Sequence, residues 1–389
     1  MERKRTTDAI KDILGDLIAI RSTDPPGDTT AICAYAAERL SAAGYAVETL
    51  SRVEGIANTV GRMGDGRPSL VFNAHADTVD VGNREDWLTD PFVATEIDGN
   101  LHGLGAGNSK AAMAVQLWLA ERIAEAGGPR SGEVVFTYVG DEERLGPNGL
   151  AFLRETGAVR PDYLVLGAQT QLQTITEERG VFWSRLTARG RAAHAGDPAA
   201  GDNAILRMMR LIETLRRELV PRLAVRRHRR LKSTMNIGTI RGGHNTNAVP
   251  SECVIEIDRR TLPEEKIDDA FAEMEAALAT SGEPEVSYAF EFLTGTNGFT
   301  STGDTPCIAA FHRAIGRVTG EALREFVAVG ASDGRYFTED GIEILTFGPG
   351  AADQGHAANE WVPIAQLAPA AEIQLAVVEE LLGLGQSGR

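Results

Sequence analysis

Apolar residues recur at helical spacing from Thr7 to about Ile20 (Ile10, Ile13, Leu14, Leu17, Ile18), and a second helical pattern runs from Thr29 to Ala43. STDPPGD between them reads as a turn. Short apolar runs with polar breaks follow: AVETLSRV, SLVFNAHAD and EVVFTYVGDEE predict strands, and AAMAVQLWLAERIAEAG predicts a helix ending at Gly127. Strands alternating with helices imply a mostly parallel sheet covered on both faces.

The middle of the chain has another rhythm. WSRLTARGRAAHAG, a helix from about Asn203 to Arg217, STMNIGTIRGG, ECVIEIDRRT, a helix from Pro263 to Thr280 and EVSYAFEFL run strand, helix, strand, strand, helix, strand. That order predicts a four-stranded antiparallel sheet with two helices on one face. From about Asn297 the first rhythm resumes through CIAAFHRAIGRVTG, EILTFGPG and a final helix beginning near Ile364. The expected fold is an α/β domain, residues 1–180 plus 297–389, interrupted by an inserted α+β domain, residues 181–296.

The 389 residues suffice for a sizeable core, and 43% hydrophobic with 24% charged residues is ordinary for a soluble globular chain. A net charge of -16 argues against nucleic acid or an anionic membrane as principal partner. The one basic run, residues 221–232, reads as a solvated surface feature. Cys33, Cys253 and Cys307 lack CxxC spacing and sit among apolar or small residues, as buried thiols would. MERKRTTDAIKDILGDL is charged and then amphipathic, and no apolar run reaches membrane-spanning length, so a cytoplasmic protein is expected.

Two strand ends carry candidate chemistry. SLVFNAHAD ends in His75 and Asp77, two residues apart and therefore on one side, where a carboxylate orients a histidine towards a metal or substrate. EVVFTYV ends in GDEER, which crowds Asp141, Glu142 and Glu143. Such acids bind metal, transfer protons or face water.

With these, NAHADTV, GLGAGNSKAAMA, GDEERLGPNG, RGRAAHAGDPAAGDNAI, IRGGHNTNAVP, IDRRTLP, SDGRYF and GPGAADQGHAANEWV occur in the order of the M20 metallopeptidase and amidohydrolase family, which the sequence resembles over essentially its whole length. The resemblance implies a two-zinc site. His75, Glu143 and His356 match zinc ligands, Asp77 stands behind His75, and Glu142 matches the general base. Asn108 replaces the bridging aspartate, and Ala168, in GAQT, replaces an acid. Leu104, Ser109, Ala111 and Gln169 depart as well.

An amide has one neutral oxygen and an NH2 that repels a cation, so Asn108 cannot bridge two zincs, and Ala168 offers no ligand. Dinuclear zinc is therefore not expected; either no metal or a single weakly bound zinc is. Without cations to neutralise the acids, at least one carboxyl should have a raised pKa and act as a proton donor.

The resemblance also implies that His194 steadies an oxyanion in the partner subunit's active site, that Asn247 and Arg260 bind a substrate carboxylate, that Gly350 brings backbone close to the ligand, and that the protein is a homodimer. The expected function is action on an amide bond of a small carboxylate-bearing substrate, an N-acyl amino acid or dipeptide, by hydrolysis, acyl transfer or amide formation. The alternative is a non-catalytic binding homologue that keeps the pocket.

Overall fold

In the computed structural model, residues 1–301, 305–324, 330–351 and 354–385 are described. The main elements in chain order are α1 (Glu2–Ala19), α2 (Thr30–Ala42), β1 (Ala46–Val53), β2 (Ile56–Asp65), β3 (Ser69–His75), α3 (Lys110–Glu125), β4 (Gly132–Val139), β5 (Tyr163–Gly167), β6 (Gly180–Arg189), α4 (Ala204–Glu218), β7 (Thr234–Gly242), β8 (Glu252–Thr261), α5 (Ile267–Ala279), β9 (Tyr288–Thr296), α6 (Pro306–Thr319), β10 (Glu343–Phe347) and α7 (Ile364–Leu382). They fall into two compact units: Met1–Thr176 with Ser301–Phe326 and Ser332–Arg389, and Glu177–Thr300 with Val327–Ala331.

The first unit is α/β, with a six-stranded sheet in the order β10-β5-β3-β4-β2-β1. The β10–β5, β5–β3 and β3–β4 pairs are parallel. The β4–β2 and β2–β1 pairs are antiparallel, because β1 and β2 form a hairpin through Gly55 at φ 84°. All seven residues of β3 are buried, as a strand covered on both faces requires. Phe72, Phe136 and Tyr138 join Leu14, Leu17, Leu117, Leu119, Phe311 and Val377 from the helices in one core. Cys33 and Cys307 are free and buried there.

β2, like β5, is not among the strands read from the sequence. Its Asn58 and Thr59 are polar and fully buried. Asn58 donates to the Leu50 and Asn148 carbonyls and accepts from the Gly140 N–H, while Thr59 donates to the Cys33 carbonyl. Tertiary hydrogen bonds, not apolar alternation, hold this strand.

The second unit is an antiparallel sheet in the order β7-β8-β6-β9. Alternate residues of β8, Cys253, Ile255 and Ile257, pack with Phe182 and Leu186 of β6 against Met208, Leu211 and Leu215 of α4 and Met274 and Leu278 of α5. The expected α/β and inserted α+β classes are both present. Among the described residues no helix is long and apolar enough to cross a membrane.

Candidate active site

β3, β4, β5 and β10 run parallel in adjacent register, so the turns after His75, Val139, Gly167 and Phe347 open on one edge of the sheet. Open α/β sheets place their sites at this carboxyl edge. His75 ends β3, Glu142 and Glu143 lie in the turn after β4, Ala168 follows β5, and Gly348 to Gly350 follow β10.

His75 is buried, and both of its ring nitrogens face oxygen. Nδ1 lies 2.9 Å from the Asp77 carbonyl oxygen and Nε2 lies 3.2 Å from Asn108 Oδ1. The Asp77 carboxylate is the more distant neighbour at 3.6 Å, and its other oxygen accepts the Glu143 N–H at 3.1 Å. Burial opposes a charge on His75, but Glu142, Asp77 and Glu143 outweigh it and hold the imidazole pKa well above its usual value. Both ring nitrogens thus face an acceptor oxygen, the arrangement that suits a protonated ring.

Asn108 completes a bridge. Its Nδ2 donates to Glu143 Oε1 at 3.1 Å and lies 3.1 Å from His356 Nε2, which itself lies 3.0 Å from Glu143. His356 is half exposed and sits in the left-handed backbone region at φ 64°; its pKa is raised chiefly by the hydrogen bond to Glu143. Ala168 presents only a methyl group.

Glu142 faces a different set. Burial, with 13% of the side chain still open, pushes its carboxyl up to about 8; His75 and Arg335 oppose the rise, and Asp333 and Glu143 add to it. Arg335 Nη1 lies 3.8 Å from Glu142 Oε1 and Arg335 Nη2 lies 3.2 Å from Asp333 Oδ1. Burial lifts Asp333 as well, to about 6. The raised carboxyl expected from the sequence is therefore Glu142.

Asp141, in contrast, does not join the acid cluster's chemistry. At φ 66° it turns its carboxylate onto Asn148, accepting from the backbone N–H at 3.1 Å and from Nδ2 at 2.7 Å. Any Cβ at position 146 would lie 1.9 Å from that carboxylate, so the loop needs Gly146. Asp141 shapes the turn that aims its two neighbours.

Three residues that motif reading leaves without roles hold the site. Asp333 and Arg335 back Glu142. Glu360, 2% exposed, accepts the N–H groups of Gly105 at 2.8 Å, Gly107 at 2.9 Å and Asn108 at 2.6 Å. It thereby clamps the Asn108 loop to the segment that carries His356, and burial pushes its carboxyl up to about 7. The one available signal, an acid four residues after His356, says nothing of a partner some 250 positions earlier. The Gly350 N–H donates to Gln366 at 2.8 Å and its carbonyl accepts from Gln171 at 2.8 Å, while φ 97° and Gln169 carbons 3.3 Å from its would-be Cβ require glycine there.

The remaining expected site residues belong to the second unit. His194 and Asn247 are exposed on adjoining segments, joined by the Ala195 N–H to the Asn247 carbonyl at 2.9 Å and the Val249 N–H to the Ala193 carbonyl at 2.8 Å. Arg260 lies eight residues beyond Glu252 along β8, about 26 Å at 3.3 Å per residue. Within this unit the structure therefore does not bring it to His194 and Asn247. It forks onto Asp258 with bonds of 2.8 and 2.9 Å.

Between His75 and Glu143 the chain offers an amide, whose NH2 end faces Glu143 and His356, in place of a bridging carboxylate. Among the described residues one group, His75, Glu142 and Glu143, brings three ligand atoms within 4.8 Å of one another. His75 could join it only by giving up its bond to Asn108.

Comparison with known proteins accords with this fold. The succinyl-diaminopimelate desuccinylase of Bordetella petrii is 29% identical, covering 96% of this chain and 98% of its own. Among solved structures, a tripeptidase from Staphylococcus aureus superposes with a TM-score of 0.77 at 23% identity, covering 97% of this chain and 98% of its own. A dinuclear metal binding peptidase of the M20 family from Bacillus subtilis does so with a TM-score of 0.72 at 14% identity, covering 98% and 99%. Residues 71–380 match the family described as Peptidase family M20/M25/M40. The chain belongs to that family and is an enzyme of its peptidase and amidohydrolase type.

Proposed function

We propose that the protein acts on the amide bond of a small carboxylate-bearing substrate, an N-acyl amino acid or a dipeptide, with Glu142 moving the proton and with zinc absent or reduced to one weakly held ion. The observation that carries this reading is Glu142 itself: a carboxyl at a strand end, beside His75, backed by Arg335, and titrating near neutrality. In its protonated form such a group gives a proton to the departing amine, and in its ionised form it takes one from an attacking water or amine. Hydrolysis, acyl transfer and amide formation are three directions of that exchange. The imidazolium of His75 supplies positive charge beside the reacting groups. Arg260 and Asn247 are proposed to bind the substrate carboxylate from different subunits of a homodimer, with Asn247 and the adjoining His194 both acting from the partner subunit.

The test is turnover of N-succinyl and N-acetyl amino acids and of dipeptides, alone and with an acceptor amine, by the purified protein and by Glu142→Gln. Removing a general acid or base costs roughly 10²- to 10⁴-fold in rate. The variant should lose about that much turnover while binding the substrate as tightly as before. Equal turnover by both proteins would overturn the role of Glu142; ligand binding with no turnover by either would favour the non-catalytic homologue.

A further inference from the structure

Asn108 counts as a loss when the sequence is compared with a two-metal site, yet the structure gives each end of its amide a partner. A carboxamide carries an acceptor on one branch and a donor on the other. Here the acceptor faces the His75 donor at 3.2 Å and the donor faces Glu143 at 3.1 Å, with His356 closing the set 3.0 Å from Glu143. The backbone is pinned as tightly: the Asn108 N–H is held by Glu360, and the Ser109 hydroxyl donates to the His75 carbonyl at 2.9 Å. An aspartate in the same place would put an oxygen where the amide nitrogen now lies, 3.1 Å from a Glu143 oxygen.

We propose that the Asn108 carboxamide is a built-in replacement for a bridging cation: it cross-links His75 to Glu143 by hydrogen bonds, with His356 joined to the set through Glu143, keeps the site assembled without a metal, and excludes a metal bridge by pointing N–H groups at the anionic half. This concerns how the site is held together, not which amide it acts on, so it stands or falls apart from the role of Glu142.

The experiment is thermal melting and elemental analysis of the purified full-length protein and of Asn108→Asp, Asn108→Ala and Asn108→Asp with Ala168→Glu, each in EDTA and with excess zinc. The unaltered protein should melt at one temperature in both conditions and hold far less than one zinc per chain. Asn108→Asp should melt several degrees lower in EDTA and recover with zinc, and the double variant should recover further and hold zinc near stoichiometrically. Asn108→Ala, which removes the cross-link without adding charge, should melt lower in both conditions. Where a variant does not fold in EDTA, refolding with and without zinc gives the same comparison: rescue by zinc of the aspartate variants alone supports the cross-link. Near-stoichiometric zinc with a raised melting temperature in the unaltered protein would overturn the proposal. So would an Asn108→Asp protein that melts like the unaltered one in EDTA.

Discussion

Buried charge is treated in opposite ways in the two units. In the inserted unit Arg207 is met by Glu283 at 2.7 Å and Asp202 at 2.6 Å and Arg226 by Glu273 at 2.7 Å and Glu265 at 2.8 Å, while the fully buried Arg259 has Ser233 at 2.8 Å and Glu265 at 3.7 Å. Burial alone would raise Glu265 and Glu283, yet their hydrogen bonds and arginines hold both below the usual carboxylate range. At the carboxyl edge of the α/β sheet, Asp77, Glu142, Glu143 and Asp333 crowd around His75, and one guanidinium, Arg335, backs two of them. Among the described residues Asp333 Oδ2 finds no hydrogen-bond donor. Burial wins there, and Glu142 rises to about 8. Ion pairing that is complete fixes charge and serves structure; ion pairing that is incomplete leaves protons exchangeable near neutrality, as proton-transfer chemistry needs.

The largest effect on stability should come from removing the cation of the incomplete set. Arg335→Met leaves Asp333 and Glu142 buried without their guanidinium, and breaking a buried pair from one side costs about 3–5 kcal/mol. Chemical denaturation at pH 7 checks this. Because Glu142 is largely protonated at pH 7, the loss falls on the ionised Asp333 carboxyl; it should shrink as pH falls towards 6 and be small below it, where Asp333 takes up a proton even with Arg335 present. A loss that does not change with pH would mean that packing, not charge, is what Arg335 supplies.

Lys110 extends the comparison to a buried cation. It is 1% exposed, donates to the Ile20 carbonyl at 2.9 Å, and burial lowers its pKa to about 7. Unfolded lysine stays charged to about 10.4. Between these values the unfolded chain holds one more proton than the folded chain, so this residue makes stability rise with pH, by at most about 1.4 kcal/mol per pH unit. Lys110→Met should remove that upward slope between pH 7 and 10, whatever constant cost it adds. An unchanged slope would show that the amine reaches water.

How much of this was legible follows from what each feature depends on. Periodicity placed the final helix at Ile364 and the alternating face of β8, because burial on one side writes itself into local spacing. His75, Glu142 and Glu143 were legible because they are consecutive with strand ends. Asp141 looked like their equal, and only its left-handed backbone turns it onto Asn148. Arg226, inside a run read as solvated surface, forks onto acids 39 and 47 residues away. Asp333, Arg335 and Glu360 act on residues roughly 190 to 255 positions distant, which a single sequence does not pair.

Glu360 should produce a smaller loss than Arg335, since its partners are backbone amides. Glu360→Gln keeps one acceptor oxygen and turns an NH2 towards an N–H, so one or two of the three bonds fail, at about 1–3 kcal/mol for a donor left unsatisfied. The Asn108 loop should then loosen, visible as faster amide exchange at Gly105 and Gly107. Unchanged exchange would mean that the loop is held by other contacts.

The smallest stability effect should be at Arg260, which separates the two kinds of charge most sharply. Its fork onto Asp258 leaves the arginine 23% and the aspartate 26% exposed, and pairs open to solvent contribute no more than about 1 kcal/mol. Arg260→Lys keeps the charge and loses the planar fork, so denaturation should move by less than that. If Arg260 grips a substrate carboxylate, it must exchange Asp258 for the ligand. The lysine variant should then raise KM for carboxylate substrates about tenfold, the weight of some 1.4 kcal/mol, with kcat little changed. A fall in stability with KM untouched would instead assign the fork to the paired, structural charges of the inserted unit such as Arg207 and Arg226.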